Sequence, residues 1–135
     1  MEEQIRYDET RTEDSLIIHL YDNEKFIGNV KLVPLQANFR KDLPGKYHDC
    51  LYLSDINIKP KYRRIGLGSS LIDRVKCFAR EKGKAILVSP YSKGEGKLSE
   101  KEVFSFYANR GFQVLDVNKH YMFWQISHEE RGERK

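Results

Sequence analysis

Hydrophobic and polar positions alternate along two early stretches, 15–20 and 25–32, where Ile, Leu, Val and Phe recur as in β-strands. Asp22, Asn23 and Glu24 lie between them as a polar turn, so the pair reads as a hairpin. No clear strand precedes residue 15. From 33 to 49, Pro34, Pro44 and Gly45 with scattered charge predict a long loop. The strand that follows, 50–58, is irregular. Leu51 and Leu53 keep one phase, and Ile56 and Ile58 keep the other. Side chains of a strand point to alternate faces, so the slip predicts an inserted residue, a β-bulge, near 54–57. Pro60 ends the strand.

Leu71, Ile72, Val75, Phe78 and Ala79 recur at helical spacing and predict a helix over 69–82, stopped by Gly83. A short apolar strand at 85–89 ends at Pro90, and a Gly- and Lys-rich loop covers 91–98. Ser99 and Glu102 carry a capping-box signature for a second helix, which Gly111 ends. Residues 112–117 and 120–126 predict a closing hairpin turned at Asn118 and Lys119. The tail, 127–135, is almost wholly charged and is expected to be disordered. Three strands, helix, strand, helix and two strands predict a mixed α/β sheet with helices packed against it, in one domain over 1–126.

At 39% hydrophobic the chain has material for a core, and at 33% charged its surface is densely ionic. The net charge of +4 suggests an anionic ligand or partner: a phosphorylated cofactor, a nucleic acid or an acidic membrane. Cys50 and Cys77 have no metal-type spacing, so neither a zinc site nor a disulfide framework is expected. The acidic start lacks a signal-peptide pattern, and no apolar run approaches the roughly 20 residues of a membrane span. A cytoplasmic protein with no metal and no membrane partner is the expectation.

Candidate chemistry concentrates between the irregular strand and the first helix. Gly66 and Gly68 let the backbone turn tightly and approach a ligand, and the next residues open a helix whose first amides are unpaired. Such a nest suits an anion. Lys59, Lys61, Arg63 and Arg64 crowd four cations into six residues beside it. A dinucleotide fingerprint would need Gly where Leu71 stands, and a P-loop would need Gly-Lys-Ser/Thr where Gly68 is followed by Ser69. Taken alone, the two glycines are ordinary strand-to-helix punctuation and the cations a solvated or nucleic-acid-facing patch. Their crowding at a helix start favours a phosphate site.

Arg63, Gly66 and Gly68 occupy the fixed positions of R/Q-x-x-G-x-G/A, and Phe106 to Phe112 reads F-Y-A-N-R-G-F. Together, behind a bulged strand ending I-x-I-K-P, these segments resemble the GNAT acetyltransferase superfamily over roughly 16–124. The resemblance implies a mostly antiparallel sheet with a bulged, splayed central strand flanked by helices. It implies acetyl-CoA as cosubstrate, its pyrophosphate on the amides of Arg63, Arg64, Ile65, Gly66, Leu67, Gly68 and Ser69. Its pantetheine arm would pair with backbone groups of Ile56 and Ile58. The reaction implied is direct N-acetylation of a primary amine on a small molecule or protein.

An alkylamine of pKa about 10.4 is neutral in roughly one molecule in 2,500 at pH 7, so a base is useful, and the leaving thiolate needs an acid. Tyr107 matches the family tyrosine that often supplies the acid. By itself it would be core, since Val103, Phe104, Phe106 and Tyr107 form an aromatic stripe. Tyr52-Leu53-Ser54-Asp55 is similar to the Y-L-E-D of polyamine-type relatives, with Ser54 in place of the proposed base. Asp55, His48 and Asp49 are the alternatives for the base, and Asp55 points to the other face unless the bulge re-aims it. Residue 100 is Glu where relatives often have Asn. The short leader before residue 15 leaves the acceptor wall to 33–49, to 91–98 or to a second subunit, so a homodimer is a further expectation. A non-catalytic acyl-CoA-binding module of the same fold is the alternative. A nucleic-acid-binding domain has no motif behind it.

Overall fold

A computed structural model of the chain describes residues 4–63, 65–90 and 98–126. Residues 91–97 of the loop expected at 91–98, the charged tail at 127–135 and Arg64 lie outside the described residues.

Seven strands form one sheet in the order β1-β2-β3-β4-β5-β7-β6, antiparallel except where β4 meets β5. β2 (Leu16–Asp22) and β3 (Lys25–Pro34) are the expected hairpin, with Asn23 in the left-handed region at φ 59°. β1 (Ile5–Arg11) pairs along its whole length with β2 and was not expected from the pattern. It is an edge strand in which Ile5 and Tyr7 pack against the core and the other side chains are polar. Such a strand forms because β2 offers it an open ladder, not through alternation of its own.

The expected loop after β3 is partly ordered into a short helix α1 (Ala37–Arg40) and a 3₁₀ turn (Gly45–Tyr47). After β4 (Leu51–Ile58) and a second 3₁₀ turn (Pro60–Tyr62) comes α2 (Leu67–Lys82). It starts two residues earlier than the periodicity predicts and ends at Gly83, φ 67°. Its buried stripe of Leu67, Leu71, Ile72, Val75, Phe78 and Ala79 contributes roughly 2 kcal/mol for each large side chain removed from water. β5 (Ile86–Val88) leads to α3 (Glu100–Ala108), where both hydrogen bonds of the expected Ser99–Glu102 capping box form.

The closing hairpin is narrower than predicted, only β6 (Gln113–Val114) against β7 (Met122–Trp124). Leu115 still donates its amide to the Tyr121 carbonyl at 3.1 Å and both side chains are buried, but 116–120 loop out instead of extending the ladder.

Alternation along β4, β5 and β7 divides the interior. Leu51, Leu53, Ile86, Val88, Met122 and Trp124 join the larger cluster beneath α2 and α3. Tyr52, Leu87 and Phe123, one residue out of phase, join a smaller cluster with Phe39 and Tyr121 on the opposite face. Lys31 pairs with Asp55 but Leu32 pairs with Leu53, so Ser54 is the inserted residue and the predicted bulge is present. It returns Ile56 and Ile58 to the face of Leu51 and Leu53. Among the described residues, no helix is long and apolar enough to cross a membrane.

Gly28 lies against the backbone where β3 meets the end of β4, and a Cβ there would be driven onto the Asn57 carbonyl oxygen. Gly28→Ala is therefore expected to destabilise the fold by about 1–3 kcal/mol, read as a lower denaturation midpoint.

Candidate functional site

Parallel pairing of β4 with β5 covers only Leu51–Leu53 against Ile86–Val88. Beyond it β4 bulges at Ser54, β5 ends, and the strands part. A cleft of about 480 Å³ fills the gap. The whole run from Tyr52 to Ile58 lines one side, and Val88, Ser89, Leu98, Val103, Phe106 and Tyr107 line the other.

Backbone direction follows from one hydrogen bond. Lys59 donates its amide to the Ile27 carbonyl at 2.8 Å. In an antiparallel ladder such pairs recur every second residue, so Asn57 and Asp55 also turn their backbone groups to β3. Ile56 and Ile58 therefore direct theirs at the cleft. The Ile58 carbonyl accepts a hydrogen bond from Arg63 Nε at 2.9 Å, which leaves the Ile56 pair and the Ile58 amide aimed into the gap.

The cleft ends at the start of α2. Gly66, φ 89°, is its N-cap and supplies no side-chain cap, and the first helical bond runs from the Ser70 amide to the Gly66 carbonyl. The amides of Leu67, Gly68 and Ser69 thus lack helical partners, and the helix dipole adds positive potential. There is no acidic residue in the first turn. A Cβ at Gly68 would stand 3.0 Å from the Phe106 ring, close enough that the ring would have to give by a few tenths of an ångström.

Of the cations expected around this nest, Arg63 lines the cleft, while Lys59 and Lys61 do not. The reading missed Arg110. Its Nε and Nη2 donate to Ser69 Oγ at 3.0 and 2.6 Å, its Nη1 donates to the Phe106 carbonyl at 2.7 Å, and the guanidinium stacks on Phe106 at 3.9 Å. Burial lowers its pKa, with Asp73 opposing. A half-buried cation beside the positive end of a helix is an unbalanced arrangement that an anion would complete. The signal was present in F-Y-A-N-R-G-F, where Arg110 stands in the turn just past α3, three residues after Tyr107.

Tyr107 is 4% exposed and also lines the cleft, wedged between Phe106 and Phe112. Burial first, and Tyr52 second, push its pKa far above the usual phenol value. Core and cleft are therefore one position for this side chain. Phe104, expected on the same apolar stripe, is exposed.

Asp55 reaches the cleft lining, on the face of Tyr52. Burial, then Tyr121 and Asp55, raise the Tyr52 pKa. The other two alternatives do not line the cleft. His48 Nε2 lies 2.8 Å from both the Arg40 and Leu43 carbonyls, and Asp49 pairs with Lys84 at 3.0 Å. Ile65 is exposed and outside the lining, and the Leu67 side chain is core, so only backbone of these two can serve the nest. Among the described residues no group of His, Cys, Asp and Glu is arranged to hold a metal.

Residues 1–112 match the profile of the acetyltransferase (GNAT) family. Known structures share the fold. The PaiA N-acetyltransferase of Thermoplasma acidophilum, in complex with coenzyme A, is 21% identical with TM-score 0.59 over 84% of this chain and 62% of its own. A streptothricin acetyltransferase assigned in Bacillus anthracis, in complex with acetyl-coenzyme A, is 20% identical with TM-score 0.61 over 87% of this chain and 65% of its own. A GNAT family acetyltransferase of Elizabethkingia anophelis, with acetyl-CoA bound, is 11% identical with TM-score 0.61 over 93% of this chain and 100% of its own. The chain thus spans less than two thirds of the first two. No curated protein sequence matches it.

Burial of Tyr107 makes the fold sensitive to alkali. Its folded pKa is raised, so the unfolded chain loses the phenolic proton first, and stability falls as pH rises past about 10. Melting temperatures between pH 8 and 11 should decline less steeply above pH 10 in Tyr107→Phe.

Proposed function

We propose that this chain, which belongs to the GNAT acetyltransferase family, transfers an acetyl group from acetyl-CoA to the nitrogen of a primary amine by direct attack. The observation that carries the reading is the uncapped start of α2 opening onto the gap between β4 and β5.

The amides of Leu67, Gly68 and Ser69, with Arg63 and Arg110 beside them, suit a pyrophosphate. Arg64 and Ile65 belong to the same loop, Arg64 outside the described residues and Ile65 through its backbone. The Ile56 backbone and the Ile58 amide suit an extended amide-bearing arm laid along β4 as an added strand. Acetyl-CoA supplies the thioester; the chain supplies alignment, exclusion of water and a proton.

That proton is assigned to Tyr107. In the reaction the amine nitrogen gains the acetyl group and loses a proton, while the leaving thiolate gains one from the phenol. A raised phenol pKa weakens the donor in water, but a thiolate in the same enclosed place is raised for the same reason, so the two stay matched. Asp55, on the acceptor side, is given the amine's proton to hold or relay.

A second reading, a CoA-binding module without turnover, is favoured by one observation: the bulge carries Ser54 where polyamine-type relatives have a carboxylate. Turnover separates the two.

Acetyl-CoA alone should raise the melting temperature, and a panel of amines should release free thiol. Stabilisation without thiol release would favour the binding module. Tyr107→Phe should lower kcat by about 10²-fold with CoA affinity little changed; equal turnover would return Tyr107 to the core. Gly66→Phe should weaken CoA binding more than tenfold by filling the space before the nest, while its left-handed φ adds strain of about 1–2 kcal/mol to the fold. Unchanged affinity would remove the loop from the site.

A further inference from the structure

We infer that the outer edge of β1 is the interface of a two-fold homodimer, in which Arg6 of each copy lies opposite the partner's Asp8 and the two Tyr7 residues meet at the axis.

β1 ends the sheet, and among the described residues no strand pairs with its outer side. Two hydrogen bonds fix the direction of its backbone groups. The Gln4 carbonyl accepts from the Asn23 amide, and the Thr12 amide donates to the Ser15 carbonyl, each at 3.0 Å. Backbone groups alternate sides along a strand, so the even-numbered residues face β2 and Ile5, Tyr7, Glu9 and Arg11 turn theirs outward. Exposed edges are ordinarily blunted by shortness, proline, lysine or a bulge. The opposite edge, β6, is only two residues long. β1 has seven residues, IRYDETR, with no proline, lysine or glycine, and its ladder with β2 runs without a shift. Such an edge is fit to receive another strand.

The charge pattern selects a second copy of β1 itself. A two-fold axis normal to the sheet runs the partner strand antiparallel and sets one residue opposite its own copy. An axis at Arg6, Asp8 or Glu9 would place like charges opposite one another, which is destabilising. An axis at Ile5, Thr10 or Arg11 would engage only an end of the strand. At Tyr7 neither objection arises. Arg6 then falls opposite the partner's Asp8, twice by symmetry, and Ile5 falls opposite the partner's Glu9. Arg6 and Asp8 are exposed and lie 2.9 Å apart within one chain, so the dimer closes a ring of four alternating charges. Ile5, Tyr7 and Glu9 are the residues whose backbone groups face outward, so this register also forms roughly six hydrogen bonds across the axis.

The axis residue is held in place before pairing. Tyr7 donates its hydroxyl to Ser70 Oγ at 2.8 Å, and Arg74 stacks on its ring at 3.9 Å while reaching Glu9 at 3.6 Å. One strand pair is a small interface, so a dissociation constant of about 1–100 μM is expected. β2 and β3 lie between β1 and the cleft, so the dimer keeps both clefts open and does not depend on the acetyltransferase reading.

The test is sedimentation of the full chain at concentrations from about 1 to 500 μM, a range that brackets weak interfaces. The unaltered chain is expected to pass from monomer to dimer. Arg6→Asp and Asp8→Arg should each weaken self-association by at least about tenfold, because like charges then face each other across the axis. Both side chains are exposed, so the melting temperature of each variant at low concentration should change little. Mixed in equal amounts, the two variants should associate as tightly as the unaltered chain, since both cross-axis pairs are again opposite in sign. The double variant carrying Arg6→Asp and Asp8→Arg should recover self-association for the same reason. An unaltered chain that stays monomeric throughout, undiminished association of both single variants, or no association on mixing them would overturn the proposal.

Discussion

One inserted residue, Ser54, sets the geometry on which the rest of the site depends. A sheet strand cannot shift its side chains between faces without breaking the period of two. The insertion lets Leu51 and Leu53 and then Ile56 and Ile58 all pack on the larger cluster, while Asp55 goes to the opposite face with Tyr52. Beyond that point the edge of β4 facing β5 is unpaired and β5 is already ending. Backbone amides and carbonyls inside a sheet carry a desolvation cost of roughly 1–3 kcal/mol each when unpaired. An edge kept open in mid-sheet is therefore a place where a hydrogen-bonding chain can be received.

The second constraint is electrostatic and sits at the far end of the same opening. α2 begins without a side-chain cap and without an acid in its first turn. Two arginines stand beside its positive end, one holding the end of β4 through the Ile58 carbonyl and one tying α3 to Ser69. Gly66 and Gly68 serve different needs there. The first adopts a backbone conformation that disfavours side chains, and the second gives room for the Phe106 ring on which Arg110 rests.

Much of this was legible in the residues. The phase slip between Leu53 and Ile56 located the bulge, the spacing from Leu71 to Ala79 located α2, and Ser99 with Glu102 located the start of α3. These are local signals, carried by residues within a turn or two of one another. β1 was not legible, because only Ile5 and Tyr7 of it reach the core and its partner, β2, is what gives it a ladder. Nor was the loop at 116–120, which sits between the buried Leu115 and Tyr121 and is tied by a hydrogen bond from Asn118 Nδ2 to the Asp42 carbonyl, far away in the chain. Arg110 was written in a motif already singled out, yet its place depends on a serine 41 residues earlier.

The sequence by itself determined the family resemblance, the glycine turn, the bulge and the helices, because each is a matter of backbone preference or periodicity over a few residues. Tertiary structure alone decided which side chains meet in the cleft. It set Tyr107 between core and cleft, put Phe39 against Tyr52, and drew Arg110 onto the end of α2. It also separated His48 and Asp49 from the cleft and brought Asp55 into it. The physical reason is that a cleft between diverging strands is defined by long-range pairing, and no local pattern records where two strands stop touching.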